Sequence, residues 1–464
     1  MIYVGDVDHD NEKWKLFTYN DNDCKAFYKN HLNNINININ NIYADYDINK
    51  QYLNFKESMI FSNEVIYSQL KKKKWSFIDI RDNKFYDVFD ITMSYNETLL
   101  IYFWCNKEDP FIMTQFFYSM DFFYIFYPLK KEIVQISRAE SGHSMFYSRL
   151  LNDIKKYNFN KNNIEIKNNI LFFGFLNNIN HNIWNEISGL YYFLENKNYH
   201  DNIDSIIIGP YDFFNIEIYL KNNFKFKIIK FEDIYGNLNH NISNIDLNYY
   251  PVFLYSFYID KNIKYIFDEI SNNHLNQINN NIKINNIIEI SLALRTNRRI
   301  LLNLKDFYIK LIKELFNHFN NYNLKINFVG DFININKESE TYKNQNNIIN
   351  DIINNLGHLN NIILNNFIGY NFYEIKNNII NSHLMFGPIG VSCLTVLSHI
   401  YNKKLIYHGP ISMYQHHGID NILGNNDTEL IPPEYIINSV GDSYEINIDL
   451  TIEYIKQKLE QIIK

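Results

Sequence analysis

From about Asn169 onward, short apolar runs alternate with segments of helical period, and this alternation constrains the fold more than any other feature of the chain. "ILFFGF" (Ile170–Phe175) is a short run without polar interruption, as expected of a strand covered on both faces. "IWNEISGLYYFLE" follows, with Ile183, Ile187, Leu190 and Leu194 at helical spacing. Then come a strand "IDSIIIGP", a helix "YDFFNIEIYLKN" and a strand "FKIIKF". After a polar stretch, Ser271 to Asn285, a second series begins with the strand "NIIEISLAL". It continues with a helix from Leu304 to Phe319, for which Asn303 and Asp306 suggest an N-cap start. "LKINFVGDF", "NIILNNF", "HLMFGPIG" and "KKLIYHGP" read as further strands with helices between them, and "KKLIYHGP" as the last. A closing helix lies near Leu450–Ile463. Strands alternating with helices predict parallel α/β sheets, two in succession, joined by a linker at 271–285.

Ahead of these, "WSFIDIRDNKFYDVFDITMSYNETLLIYFW" alternates with period two, so residues 1–165 are expected to form an N-terminal α+β extension. The predicted division is 1–165, 166–280 and 281–464. Phe111 to Leu129 is as long as a membrane span, but Gln115, Ser119 and Asp121 would then sit inside the bilayer. A buried strand or helix pair is the expectation there, without a transmembrane segment.

Composition matters because of what is scarce. Asn, Ile and Lys are over-used, so Asn-rich text such as residues 33–43 carries no functional weight. The chain holds six arginines, and three of them (Arg295, Arg298 and Arg299) fall within "LALRTNRRI", directly after a predicted strand. Guanidinium binds phosphate oxygens in two-pronged fashion, which a lysine cannot replace. The loop leads into a helix whose first turn adds positive dipole and Lys305. The bland alternative is a solvated basic turn. Arg298 and Arg299 are neighbours and cannot readily point the same way, so one of them should be structural. A second cluster of scarce residues is "FGPIGVSC". Gly387 and Gly390 allow close backbone approach, and the N–H groups of Val391, Ser392 and Cys393 open a helix. Both clusters belong to one sheet's carboxyl edge, where open α/β sheets bind ligands. The arginines should therefore face Gly390–Cys393 across a diphosphate.

In the preceding series, "NINHNIWNEISG" places His181 and Glu186 after the first strand. An imidazole near neutrality suits a general base, with Glu186 to orient it or act itself. Gly174 and Asn182 would meet an acceptor, as would His143 between Arg138 and Arg149. His408, His416 and His417 lack an acidic or Cys partner at suitable spacing, so a loop is expected there and no metal site. The net charge of −7, with no basic stripe beyond Lys71–Lys74, argues against nucleic acid. Three widely separated cysteines predict a reducing compartment, the cytoplasm or its membrane surface.

On "LRTNRR", "FGPIGVSCLTVLSHIYNKKLIYHGP" and "NINHNIWNEISG", the chain from about Asn169 to Lys464 resembles the GT-B class of nucleotide-sugar glycosyltransferases. That resemblance implies two Rossmann-like lobes, with the donor nucleotide in the C-terminal lobe and the acceptor mainly in the N-terminal one. It implies a nucleotide-diphosphate sugar as donor, UDP-linked among the candidates, and a glycan, protein or lipid-linked acceptor. No cofactor is implied. The Glu-x7-Glu pattern of a large retaining group is absent from Gly387–His399, which favours inversion. No DxD-type dyad falls in a cleft loop ("DYD" at Asp45–Asp47 lies in the extension), which favours metal independence. A nucleotide-sugar epimerase or hydrolase with the same lobes, or a non-catalytic binding protein, are the competing expectations.

Overall fold

The structure is a computed structural model. It describes residues 2–18, 65–70, 72, 74–96, 98–116, 122–136, 144–159, 165–176, 179, 182–195, 197–236, 242–253, 261–274, 286–330, 339–414 and 427–463. The chain forms a mixed α/β protein with several sheets, two of them wholly parallel along their described pairings. It divides into two compact units, Met1–Tyr258 and Ile259–Lys464.

The first unit contains the extension and the first parallel sheet. The extension supplies eight strands of a nine-stranded, mostly antiparallel sheet; the ninth, Ile242–Asp246, comes from beyond residue 165 and pairs with Lys84–Asn96. The segment that reads as a membrane-length run is a hairpin within it, Phe111–Phe116 against Phe122–Tyr127. Helix Ser144–Lys155 covers one face, with Leu150, Leu151 and Ile154 packed on Trp104, Tyr102 and Phe126. The parallel sheet has the order Lys227–Lys230, Ser205–Ile208, Asn168–Phe173, Tyr249–Phe253. Its fourth strand is not evident in the sequence, because "YYPVF" contains a proline and follows no clear helix. Trp75 joins the two sheets. It is fully buried, stacks on Phe103 of the antiparallel sheet and on Tyr250 of the parallel one, and donates to Asn169 Oδ1 at 3.0 Å.

The second unit is built on a six-stranded parallel sheet. Its order is Ile362–Asn366, Asn323–Val329, Ile287–Ala293, Leu384–Pro388, Leu405–His408 and Thr428–Leu430. Ile288, Ile290 and Leu292 point to one face and meet Phe307, Leu311, Ile349, Ile352 and Ile455 from helices Leu304–His318, Glu340–Leu356 and Ile448–Ile463. Helix Ser392–Tyr401 buries Leu394, Leu397 and Ile400.

Three sequence expectations change. "KKLIYHGP" is not the last strand: Thr428–Leu430 extends the sheet, and Ile300–Leu301, Ser443–Ile446 and Ile436–Val440 form a separate small sheet. Strands of two to five residues offer little period to read. Asn303 precedes its helix but does not cap it. Its amide donates to Ile446 O at 2.8 Å and tethers that small sheet instead. Ser271, taken as the start of a linker, lies in helix Lys264–His274, which packs within the second unit. Ser271 bonds Asn377 at 3.0 Å, Asp268 meets Lys376 and Tyr401, and Phe267 packs on Phe372.

Candidate functional site

The strand Ile287–Ala293 ends in the arginine loop, and the strand Leu384–Pro388 ends two residues before Gly390. These strands are neighbours in the sheet, so their exit loops meet. Arg299 donates to Ile389 O at 2.9 Å. Arg295 donates to Ile389 O and Gly390 O, both at 3.3 Å. The backbone makes this possible at both ends. Arg299 has φ 51 and turns back on the loop, and Gly390 has φ +84. A side chain at Gly390 would run into the Arg299 guanidinium and come within 3.1 Å of Arg295 Nη1. Gly390→Ala is therefore expected to displace both guanidiniums and to add backbone strain of about 1–3 kcal/mol. Urea denaturation checks the second effect.

The electrostatics of this turn are unbalanced. Arg81, by contrast, is paired with Asp79 at 2.5 Å and Asp109 at 2.9 Å. Among the described residues, neither Arg295 nor Arg299 makes an ion pair; their partners are carbonyls and, for Arg295, Asn297 at 3.4 Å. Burial, and then the neighbouring charge of Arg295, lower the Arg299 pKa, and Asp442 offsets this only in part. Two half-buried cations that make no ion pair among the described residues favour an anion between them. Helix Ser392–Tyr401 begins just beyond, where first-turn N–H groups have no intrahelical acceptor.

Other sequence candidates fall elsewhere. Arg298 is exposed, which leaves Arg295 and Arg299 as the convergent pair. Lys305 pairs with Asp351 at 2.6 Å on the surface, so it does not join them. The Val391 N–H is donated to Pro388 O at 3.3 Å, and is not available for an anion. Gly387 serves packing, since a side chain there would meet Ala293 and Leu394. Ser392 and Cys393 open the helix, with Cys393 buried and its Sγ 3.8 Å from Gly330 O. His408 is in a strand, not a loop. It is fully buried, stacks on Phe386 and lies 2.5 Å from the Tyr444 hydroxyl, and burial pushes it down to about 3. His143, His181, His416 and His417 lie outside the described residues. Among the described residues, no group of three or more His, Cys, Asp or Glu could hold a metal ion, and no helix is long and apolar enough to cross a membrane.

In the first unit, Glu186 sits in a π-turn, Asn182–Ile187, that runs into helix Ser188–Glu195. Its Oε1 accepts from the amides of Gly174 (3.1 Å) and Phe175 (3.0 Å), and its Oε2 from Asn182 Nδ2 at 2.5 Å. Asn182 also donates to Tyr211 O at 3.3 Å. Both residues are buried, and these bonds hold the strand exit together, while Asn182 Oδ1 has no hydrogen-bond partner among the described residues. Gly174, at φ +79, makes a close approach to the backbone of Tyr211 and Asp212.

Burial pushes the Glu186 carboxyl up to about 7 from 4.5, although the amides of Phe175, Leu176 and Gly174 and the Asn182 side chain hold it down. The folded chain then keeps a proton that the unfolded chain releases between those values. The contribution of Glu186 to stability is therefore full below pH 4.5 and is lost as pH rises to about 7, by on the order of 3 kcal/mol. Glu186→Gln should flatten that slope, as measured by urea unfolding at pH 5 and pH 8. An unchanged slope would show that another group titrates.

Beside this clamp, at the carboxyl ends of Ser205–Ile208 and Lys227–Lys230, is a polar cleft of about 240 Å³. Gly209, Pro210, Asp212, Glu217, Lys230 and Glu232 line it. Asp212 is committed to capping helix Ile216–Asn223, accepting from Ile216 N at 2.8 Å and Glu217 N at 3.1 Å.

The site defines a class only broadly: an α/β protein with an anion-ready turn at the carboxyl edge of a parallel sheet. No protein-family model and no curated protein matches the chain. Among solved structures it is similar to TarM, over 97% of this chain and 85% of that one, with 10% identity and a TM-score of 0.26. A second TarM structure, from S. aureus and in complex with Fondaparinux, alpha-GlcNAc-glycerol and UDP, covers 97% and 86%, at 11% identity and 0.22. The N-terminal domain of Candida albicans trehalose-6-phosphate phosphatase covers 70% and 69%, at 11% and 0.25. At these scores the likeness carries no argument, and function has to be read from this chain's own geometry.

Proposed function

We propose that the protein is a glycosyltransferase that takes a sugar from a nucleotide-diphosphate donor, with the diphosphate bound at Arg295, Arg299 and the start of helix Ser392–Tyr401. The observation that carries this reading is the convergence of two guanidiniums, unpaired with any carboxylate among the described residues, on the Ile389–Gly390 turn. Departure of a nucleoside diphosphate builds negative charge on its phosphates, and preorganised cations lower that barrier. The charge that a metal would supply comes from the arginines and the helix, in line with a metal-independent, inverting transfer. An acceptor hydroxyl suits the polar cleft at Gly209–Asp212, and His181 is the proposed general base. Glu186 is assigned to positioning, because its oxygens are occupied.

Calorimetric titration with a panel of nucleoside diphosphates tests the donor site, and the absence of binding by all of them would sink it. His181→Ala is expected to slow transfer and leave nucleotide affinity unchanged. If nucleotide affinity fell instead, His181 would belong to donor binding.

A further inference from the structure

Gln345 stands in the second turn of helix Glu340–Leu356, fully buried, and neither its Oε1 nor its Nε2 has a hydrogen-bond partner. A buried amide left without partners is destabilising, and native chains rarely keep one. Its place is informative. Gly330 directly follows the strand Asn323–Val329, which lies next to the strand that leads into the arginine loop. Any side chain at Gly330 would collide with Gln345 Oε1, so the glycine is what admits the carboxamide to the sheet's carboxyl edge. On its other side the Gly330 carbonyl meets Cys393 Sγ at 3.8 Å, in the first turn of the helix that follows the Gly390 turn. The orphan amide and the unpaired guanidiniums thus border the same three strand ends.

A carboxamide offers one acceptor and one donor side by side. The hydrogen-bonding edge of a nucleobase carries the same pair in complement. We propose that Gln345 reads the base of the bound nucleotide through a paired hydrogen bond, while Arg295 and Arg299 hold its phosphates. The proposal rests on the donor-site reading and adds a residue that selects among nucleotides. Gln345 is fully buried, so a base reaches it only as neighbouring groups give way, whereas the arginines are half-exposed.

The test is titration of the full chain with UDP, ADP, GDP, CDP and inorganic pyrophosphate, alongside the near-isosteric Gln345→Met and, in case it misfolds, Gln345→Leu. Wild type should bind at least one nucleoside diphosphate tenfold or more tightly than pyrophosphate. The variant should lose at least tenfold for that nucleotide and nothing for pyrophosphate. Its melting temperature should hold or rise, because an unpartnered polar group has been removed. Unchanged nucleotide affinity, equal loss for pyrophosphate, or a lowered melting temperature with no change in selectivity would each overturn the role of Gln345 and leave the donor site standing. Failure of wild type to bind any of the five probes removes the donor site itself.

Discussion

Arg295→Ala and Arg299→Ala together are expected to abolish measurable nucleoside diphosphate binding. Each charged hydrogen bond to an anion is worth about 1.5–3 kcal/mol, so each single change should weaken binding by roughly 10- to 150-fold. Lysine should not rescue Arg299. Its guanidinium spends one N–H on Ile389 O and keeps others for a ligand, and an ammonium at that reach cannot present the same fork. Arg298→Ala is the internal control. Arg298 is exposed, and its loss should change affinity by less than about 1 kcal/mol. Calorimetry at two ionic strengths separates the effects, since the half-buried pair is less screened than a surface charge. If Arg298→Ala matched Arg299→Ala, the convergent pair would not be the anion site.

The second large effect concerns stability. Trp75→Ala should cost about 3–5 kcal/mol, the range for removing a fully buried aromatic side chain. The loss exceeds a local cavity. The indole stacks on Tyr250 at 4.9 Å and on Phe103 at 5.8 Å, and its Nε1 satisfies Asn169, so it couples the antiparallel extension to the parallel sheet. Denaturant unfolding should show one weakened transition for the first unit. A loss under about 1 kcal/mol would mean that the two sheets do not depend on each other for stability. Trp75→Phe keeps part of the stacking but leaves the Asn169 oxygen without its donor, so it should fall between the two.

Much of the fold is legible in the sequence. Strands covered on both faces have to be continuous apolar runs, so Ile170–Phe175 and "NIIEISLAL" announced themselves, as did the helix faces of Ile183–Leu194 and Leu304–Leu315. The arginine loop stood out for a different reason: guanidinium is scarce in this chain, and so is glycine. The misreadings share one cause. Lys305 with Asp351, Asn303 with Ile446 and Ser271 with Asn377 are pairings across 46 to 143 residues, or within a helix whose allegiance is set by its neighbours. Nothing local marks them. Glu186 had the composition of a base, yet its role depends on which amides happen to surround it. Gln345 gave no signal at all, because a glutamine in a helix is ordinary until both its polar atoms are found buried without partners.

By itself the sequence determined the α/β class, the succession of strands and helices, and the placing of three arginines at the end of one strand. Those follow from short-range physics: periodicity, burial on both faces, and the chemistry of a rare side chain. Which two arginines converge depends on long-range strand pairing. Parallel strands far apart in the chain become neighbours only through sheet order, and that order set Ile287–Ala293 beside Leu384–Pro388, bringing Arg295 and Arg299 onto the Gly390 turn.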